Sequence, residues 1–114
     1  MTTSLSATSI FISFTELQSF ISNGLQAAGL PSADANKVAT LMAEADLQGS
    51  DGHGVIRLVP YVKRIMAGGI NTRPNIHVVN ERAAMAVVDG DNGMGHLVMS
   101  YAAELAIAKA RTAG

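Results

Sequence analysis

Only two stretches of this sequence have the character of β-strands, and they are neighbours. Asn75–Asn80 (NIHVVN) and Ala84–Asp89 (AMAVVD) are short runs with β-branched or alternating apolar residues, joined by Glu81–Ala83. That pattern predicts a hairpin. Two strands alone make a poor sheet, so the hairpin has to rest on helices or meet strands supplied from elsewhere. The chain is therefore expected to be mainly α-helical, with further strands outside it.

Glycine and proline divide the rest. The first helix is expected from a capping box, either Ser13 with Glu16 or Thr15 with Gln18, with Leu17, Phe20, Ile21, Leu25 and Ala28 inward. Gly29 and Pro31 stop it. Ser32 is expected to cap a second helix, running to about Gln48 through Val38, Leu41, Met42 and Ala45, with Gly49 closing it. A third helix should open near Asp51–Gly54, with Val55, Leu58, Val59, Val62, Ile65 and Met66 as its apolar stripe. Pro60 falls inside that pattern and predicts a kink; Gly68–Gly69 end it. After the hairpin, the cluster Asp89-Gly90-Asp91-Asn92-Gly93 reads as a turn. A last helix follows from Met94 to about Thr112, with Leu97, Val98, Tyr101, Leu105 and Ala108 inward. The order is three helices, a β-hairpin and a C-terminal helix. Residues 1–12, rich in Ser and Thr, read as a flexible tail or added arm.

Hydrophobic residues make up 48% of the 114 and charged residues only 15%. Small domains have much surface for their volume and usually carry more charge. Either something outside the chain covers apolar surface, or the chain is an Ala-rich helical domain. The net charge of −1 includes no basic stripe, which argues against nucleic acid as a partner. With no cysteine there is neither a disulfide framework nor a thiolate metal site. The N-terminus lacks the charged start of a signal peptide, and no window has the roughly 20 apolar residues that cross a bilayer. A cytoplasmic protein with no membrane partner is the expectation.

The stretch SDGHGVIRLVPYVKR, Ser50 to Arg64, sets His53, Arg57 and Tyr61 at steps of four. On one helix, at about 100° per residue, the three would span about 80° of a face opposite the aliphatic stripe. Arg holds a carboxylate in a two-bonded fork. Tyr offers a neutral hydroxyl. His exchanges a proton near neutral pH. Together they suit a small 2-oxo or 2-hydroxy acid; an ordinary solvated face is the other reading. Asp51 is read as the cap of this helix, with orientation of the His53 ring as its alternative role. Gly52 and Gly54 leave room for close approach.

Other signals are weaker. Gly90, Gly93 and Gly95 stand in the order G-x-x-G-x-G, not the dinucleotide fingerprint, and no βαβ unit surrounds them. DGDNG lacks the later glycine and glutamate of a calcium loop. His53, His77, His96 and Asp89 have no ligand spacing, so no metal is expected. His77 is read as an outward strand residue and His96 as part of the last helix's first turn.

Ala43–Asn71, AEADLQGSDGHGVIRLVPYVKRIMAGGIN, resembles the N-terminal signature of the second type of malate/L-lactate dehydrogenase family. Its block A-D-x-x-G-x-D-x-H-G-x-x-R-x-x-x-Y is specific. The likeness continues through VVDGDNGMGH and the ending AIAKARTAG, covering roughly residues 14–114. The resemblance implies an α/β fold of the non-Rossmann, sulfolactate-dehydrogenase-like kind for the full enzyme, with residues 13–114 as its N-terminal portion. It implies NAD or NADP as cofactor, held by residues beyond Gly114. The family includes ureidoglycolate, sulfolactate and diketogulonate dehydrogenases and cyclic imino-acid reductases. By position, His53 resembles the family's acid/base histidine, which protonates the substrate oxygen or imine. Arg57 and Tyr61 resemble substrate-pocket residues, with Asp51 and Gly52 beside them. Gly52 stands where the family usually has Ser, which removes a hydroxyl next to His53. The resemblance further implies a homodimer, a small carboxylate substrate, and the remainder of the enzyme as partner, in the same or a separate chain. The competing reading is a non-catalytic helical module that buries its apolar face on a partner.

Overall fold

The computed structural model describes residues 10–114. Of the expected tail, residues 1–9 lie outside the described residues; Ile10, Phe11 and Ile12 precede the first helix with exposed side chains.

Helix α1, Phe14–Ala28, starts where the capping box places it. The Ser13 hydroxyl accepts the Glu16 N–H at 3.2 Å and donates to Glu16 Oε1 at 3.1 Å. Helix α2, Ser32–Leu47, runs back antiparallel, as the pairs Gln18–Thr40 and Ser22–Asn36 require. Ser32 does not cap it: Ser32 is already the first helical residue, Pro31 holds the cap position, and no side-chain cap bond forms. The core lies between these helices, on Ile21, Leu25, Val38, Ala39 and Met42, all fully buried. Ser22 is buried there too. It donates to Asn36 Oδ1 and accepts from Gln26 Nε2, so its buried hydroxyl is paired.

The predicted third helix is three pieces. Two single 3-10 turns, Asp51–His53 and Val55–Arg57, lead into α3, Leu58–Met66. Pro60 is therefore in the first turn of α3, where its missing N–H removes no bond, and the expected mid-helix kink has no cause. Leu58 packs on Gly24 of α1.

Helices α1, α2 and α3 end alike. Leu30, Ser50 and Gly69 return their N–H to the carbonyls of Leu25, Ala45 and Arg64. The residue before each is a glycine with φ of 125°, 83° and 80°, a backbone region that side chains avoid.

Strands β1, His77–Arg82, and β2, Met85–Asp89, form the antiparallel hairpin, closed by Ala83–Ala84 and bulged at Val79. Lys109 ties it to the last helix, α4, Gly95–Ala113, by bonds of 2.8 Å to Glu81 Oε1 and to the Arg82 carbonyl.

Several residues expected inside face out. Phe20, Val59 and Met66 are 62%, 60% and 75% exposed, and Leu41, Tyr101 and Ala108 are exposed too. On α4 only Leu97 is buried. Each helix carries an apolar stripe wider than the face its described neighbours cover.

Candidate functional site

The site grows from one long-range hydrogen bond. Asp46, near the end of α2, accepts the Val55 N–H at 2.8 Å. This cap falls between the two 3-10 turns and starts the second. Asp51 does not cap as expected; it is exposed and its carboxylate holds no hydrogen bond among the described residues. A side chain at Gly54 would run into the Asp46 carboxylate, whereas one at Gly52 would meet nothing within 4 Å.

His53 ends the first turn, exposed to solvent. Arg57 ends the second, immediately before α3, and its guanidinium lies 5.5 Å from the centre of the Tyr61 ring. That is cation–π range. His53, Arg57 and Tyr61 thus do not sit on one continuous α-helix. The structure brings Arg57 and Tyr61 into direct contact and places His53 on the turn preceding them.

Sequence reasoning missed the fourth member, His96. Its ring meets Tyr61 edge to face, with centroids 5.6 Å apart and planes at 83°. Its Nδ1 is sealed from solvent without a hydrogen-bond partner. Burial, and then the nearby charge of His53, hold its pKa below the ordinary 6.5, so the ring is neutral at pH 7. His96 and Tyr61 are 35 residues apart, and what joins them is a clasp of asparagine and aspartate. Asn71 N–H donates to the Asn92 carbonyl at 2.9 Å, and Asn92 Nδ2 returns to the Gly69 carbonyl at 3.0 Å. Asp91 Oδ2 accepts from Asn71 Nδ2 and from the Asn75 N–H. Asp91 and Asn92 both take positive φ, 51° and 56°, and Gly93 N–H bonds back to the Gly90 carbonyl, a tight turn these residue types tolerate. The clasp holds the end of α3 beside the start of α4. The hints in sequence were that His96 closes the family-like stretch VVDGDNGMGH and comes three residues after this turn.

A cleft of about 670 Å³ opens on the α4 side of Tyr61. Arg64, His96, Asn92 and Ser100 line it with Ile70 and Met99, and no carboxylate does. A smaller apolar cavity, about 200 Å³, lies between β2 and α4.

Gly90 and Gly93 are filled by packing: a side chain at either would strike Val98 or Pro74. They do not form a cradle for a cofactor pyrophosphate. His77 sits at the exposed start of β1 with Nδ1 on the Asn75 carbonyl, and among the described residues no three His, Asp or Glu side chains gather as a metal site. Nor is any described helix long and apolar enough to cross a membrane.

The chain is 46% identical over 99 residues to a malate dehydrogenase of Pyrococcus abyssi, a match that covers 87% of this chain and 27% of that protein. The sulfolactate dehydrogenase structure from Methanocaldococcus jannaschii superposes with a TM-score of 0.87 at 37% identity, over 92% of this chain and 30% of that one. A Δ1-pyrroline-2-carboxylate/Δ1-piperideine-2-carboxylate reductase of Pseudomonas putida is 33% identical over 108 residues, 95% of this chain and 32% of its own length. The chain thus spans about 30% of the length of the relatives it matches. The malate/L-lactate dehydrogenase family model aligns with residues 12–114, nearly the whole chain. With a sequence match of that extent and a fold that superposes on the family's solved members, the chain belongs to the malate/L-lactate dehydrogenase family.

Proposed function

We propose that this chain forms the proton-donating and carboxylate-binding side of the active site of a nicotinamide-linked oxidoreductase. Its substrate is a small 2-hydroxy or 2-oxo acid, or a cyclic imino acid. The observation that carries the reading is the Arg57–Tyr61 contact at 5.5 Å, with His53 on the open turn just before it. Arg57 holds the substrate carboxylate in a charged fork, and the Tyr61 ring stiffens the guanidinium from beneath. The Tyr61 hydroxyl orients a second oxygen. When the carbonyl or imine carbon is reduced, its oxygen or nitrogen gains an electron pair and needs a proton. His53 gives that proton, and takes it back in the oxidative direction.

The names of the relatives imply a nicotinamide cofactor, which supplies the hydride when bound. Gly90 and Gly93 are taken up by packing on Val98 and Pro74, and the proposed roles are confined to the proton and the carboxylate. The cofactor-binding region belongs to the remainder of the enzyme, which, with a second copy of the chain in a homodimer, is the partner we propose.

The test replaces the matched segment of the Pyrococcus abyssi malate dehydrogenase with this chain and follows NADH and NADPH oxidation. The 2-oxo acids pyruvate and oxaloacetate and a cyclic imino acid serve as substrates. Turnover with any of them supports the reading. A hybrid with the far-UV circular dichroism of the parent enzyme and no turnover would leave the chain as a non-catalytic module.

A further inference from the structure

We propose that Asp46 is a positioning residue for the reaction. Its carboxylate, reaching out from the last turn of α2, fixes the chain midway between His53 and Arg57 and so holds the proton donor and the carboxylate-binding cation in one relation. The inference rests on the functional reading above, which gives those roles to His53 and Arg57.

Three observations support it. The first is where the acceptor lies. Oδ2 of the half-buried Asp46 takes the Val55 N–H at 2.8 Å, two residues after His53 and two before Arg57. A carboxylate acceptor makes this bond stronger than an ordinary neutral one. The second is how the rest of the segment is fastened. The Ser50 N–H donates to the Ala45 carbonyl at 2.8 Å, so residues 50–55 leave and rejoin α2 at adjacent positions, Ala45 and Asp46. From Ser50, the His53 N–H is reached by one bond to the Ser50 carbonyl, at 3.0 Å. From Val55, the Arg57 N–H is reached through the carbonyl of its neighbour Gly54, also at 3.0 Å. Removing Asp46 takes away the acceptor of the Val55 N–H and frees the second turn to rotate against the first.

The third is that Asp46 is poorly placed for its own helix. Aspartate is a weak helix former, and a negative charge in the last turn opposes the negative end of the helix dipole. No basic residue stands in that turn to offset it. The local cost is accounted for by the reach to Val55. Gly54 fits the same account: it is buried, and a side chain there would strike the Asp46 carboxylate.

The hybrid enzyme tests this, with whichever of pyruvate, oxaloacetate and the cyclic imino acid it reduces. Asp46→Ala is expected to lower kcat/KM about 10²-fold, the scale of a small misplacement of reacting groups. The loss should be shared between a lower kcat, through His53, and a higher KM, through Arg57. Asp46→Asn keeps a neutral acceptor and is expected to stay within about fivefold of the parent. In a His53→Ala background, Asp46→Ala should lower kcat by no more than about twofold further, because its effect on turnover passes through that ring. Far-UV circular dichroism checks each fold. If Asp46→Ala does not fold, Gly54→Ala, which displaces the carboxylate instead of deleting it, is held to the same expectations. Parent kinetics in a folded Asp46→Ala overturn the positioning role and leave the functional reading standing. So does an Asp46→Asn as impaired as Asp46→Ala, or an undiminished loss of kcat in the His53→Ala background. A folded, unsubstituted hybrid that reduces none of the three substrates overturns both.

Discussion

Asp46 and Val55 are nine residues apart and joined by a 2.8 Å hydrogen bond, and Gly54 is where the carboxylate passes. That bond decides the local structure more than helix propensity does. It converts what reads as one helix into two 3-10 turns and a shorter helix, and it sets where His53 and Arg57 stand.

Two glycines two apart therefore answer differently to the same change. Gly54→Ala places a methyl group in the Asp46 carboxylate and is expected to cost about 2 kcal/mol or more, in the range of overpacking. Gly52→Ser adds atoms to open space and is expected to stay within about 0.5 kcal/mol of the parent. Urea unfolding of both variants beside the parent gives the comparison. Equal stabilities would mean that the Asp46 carboxylate swings away at no cost.

If His53 is the acid, His53→Ala should lower turnover in the hybrid enzyme by about 10²–10⁴, the usual worth of a positioned proton donor. A loss under about tenfold would take that role from His53.

Arg57→Lys makes a different claim. An ammonium keeps the charge and loses both the fork and the planar seat over Tyr61, so KM should rise more than turnover falls. An unchanged KM would remove Arg57 from the carboxylate site.

Much of the fold was readable in advance, for local reasons. Ser13 with Glu16, and the glycines at 29, 49 and 68, act within one helical turn of themselves, so their spacing predicts the helix ends. The hairpin was legible from its alternating and β-branched runs, although Glu81 and Arg82, read as part of the connection, extend β1 and pair with Ala86 and Met85. What could not be read depends on contacts far apart in sequence. Phe20 fits the apolar stripe of α1 as well as Ile21 does, yet only Ile21 is buried in the core. Asp51 looked like the cap because it is adjacent, while Asp46 reaches the turn from another helix. His96 closes the family-like stretch VVDGDNGMGH, but no local pattern there shows that it meets Tyr61, because that contact is made by Asn71, Asp91 and Asn92. In the site, the family signature pointed to His53, Arg57 and Tyr61, and folding added His96.

His96 also predicts how stability follows pH. Its folded pKa lies below 6.5, through burial first and the charge of His53 second, so the unfolded chain binds this proton more readily. Its contribution to stability is full above about pH 6.5, the unfolded value. It declines as pH falls from there toward the lower folded value, because the unfolded state takes up protons first. His53, Tyr61 and Arg64 are the titratable or charged groups beside it and stay the same in the comparison. Urea midpoints between pH 8 and pH 5 should therefore fall less steeply in His96→Gln than in the parent. Parallel curves would show that His96 is charged in the fold.

The clasp of Asn71, Asp91 and Asn92 has a topological result. The backbone between residues 75 and 90 departs and returns at one pinned doorway, since Asn75 and Asp91 are bonded to each other there. The hairpin is thus a closed excursion whose length is decoupled from the geometry at its base. Lengthening its turn changes a slowly varying closure entropy, while trimming it back also removes the Lys109 bonds to Glu81 and Arg82. Tyr61 and His96 therefore keep their relation through an insertion at the hairpin tip, because the pinned base lies between that tip and the site.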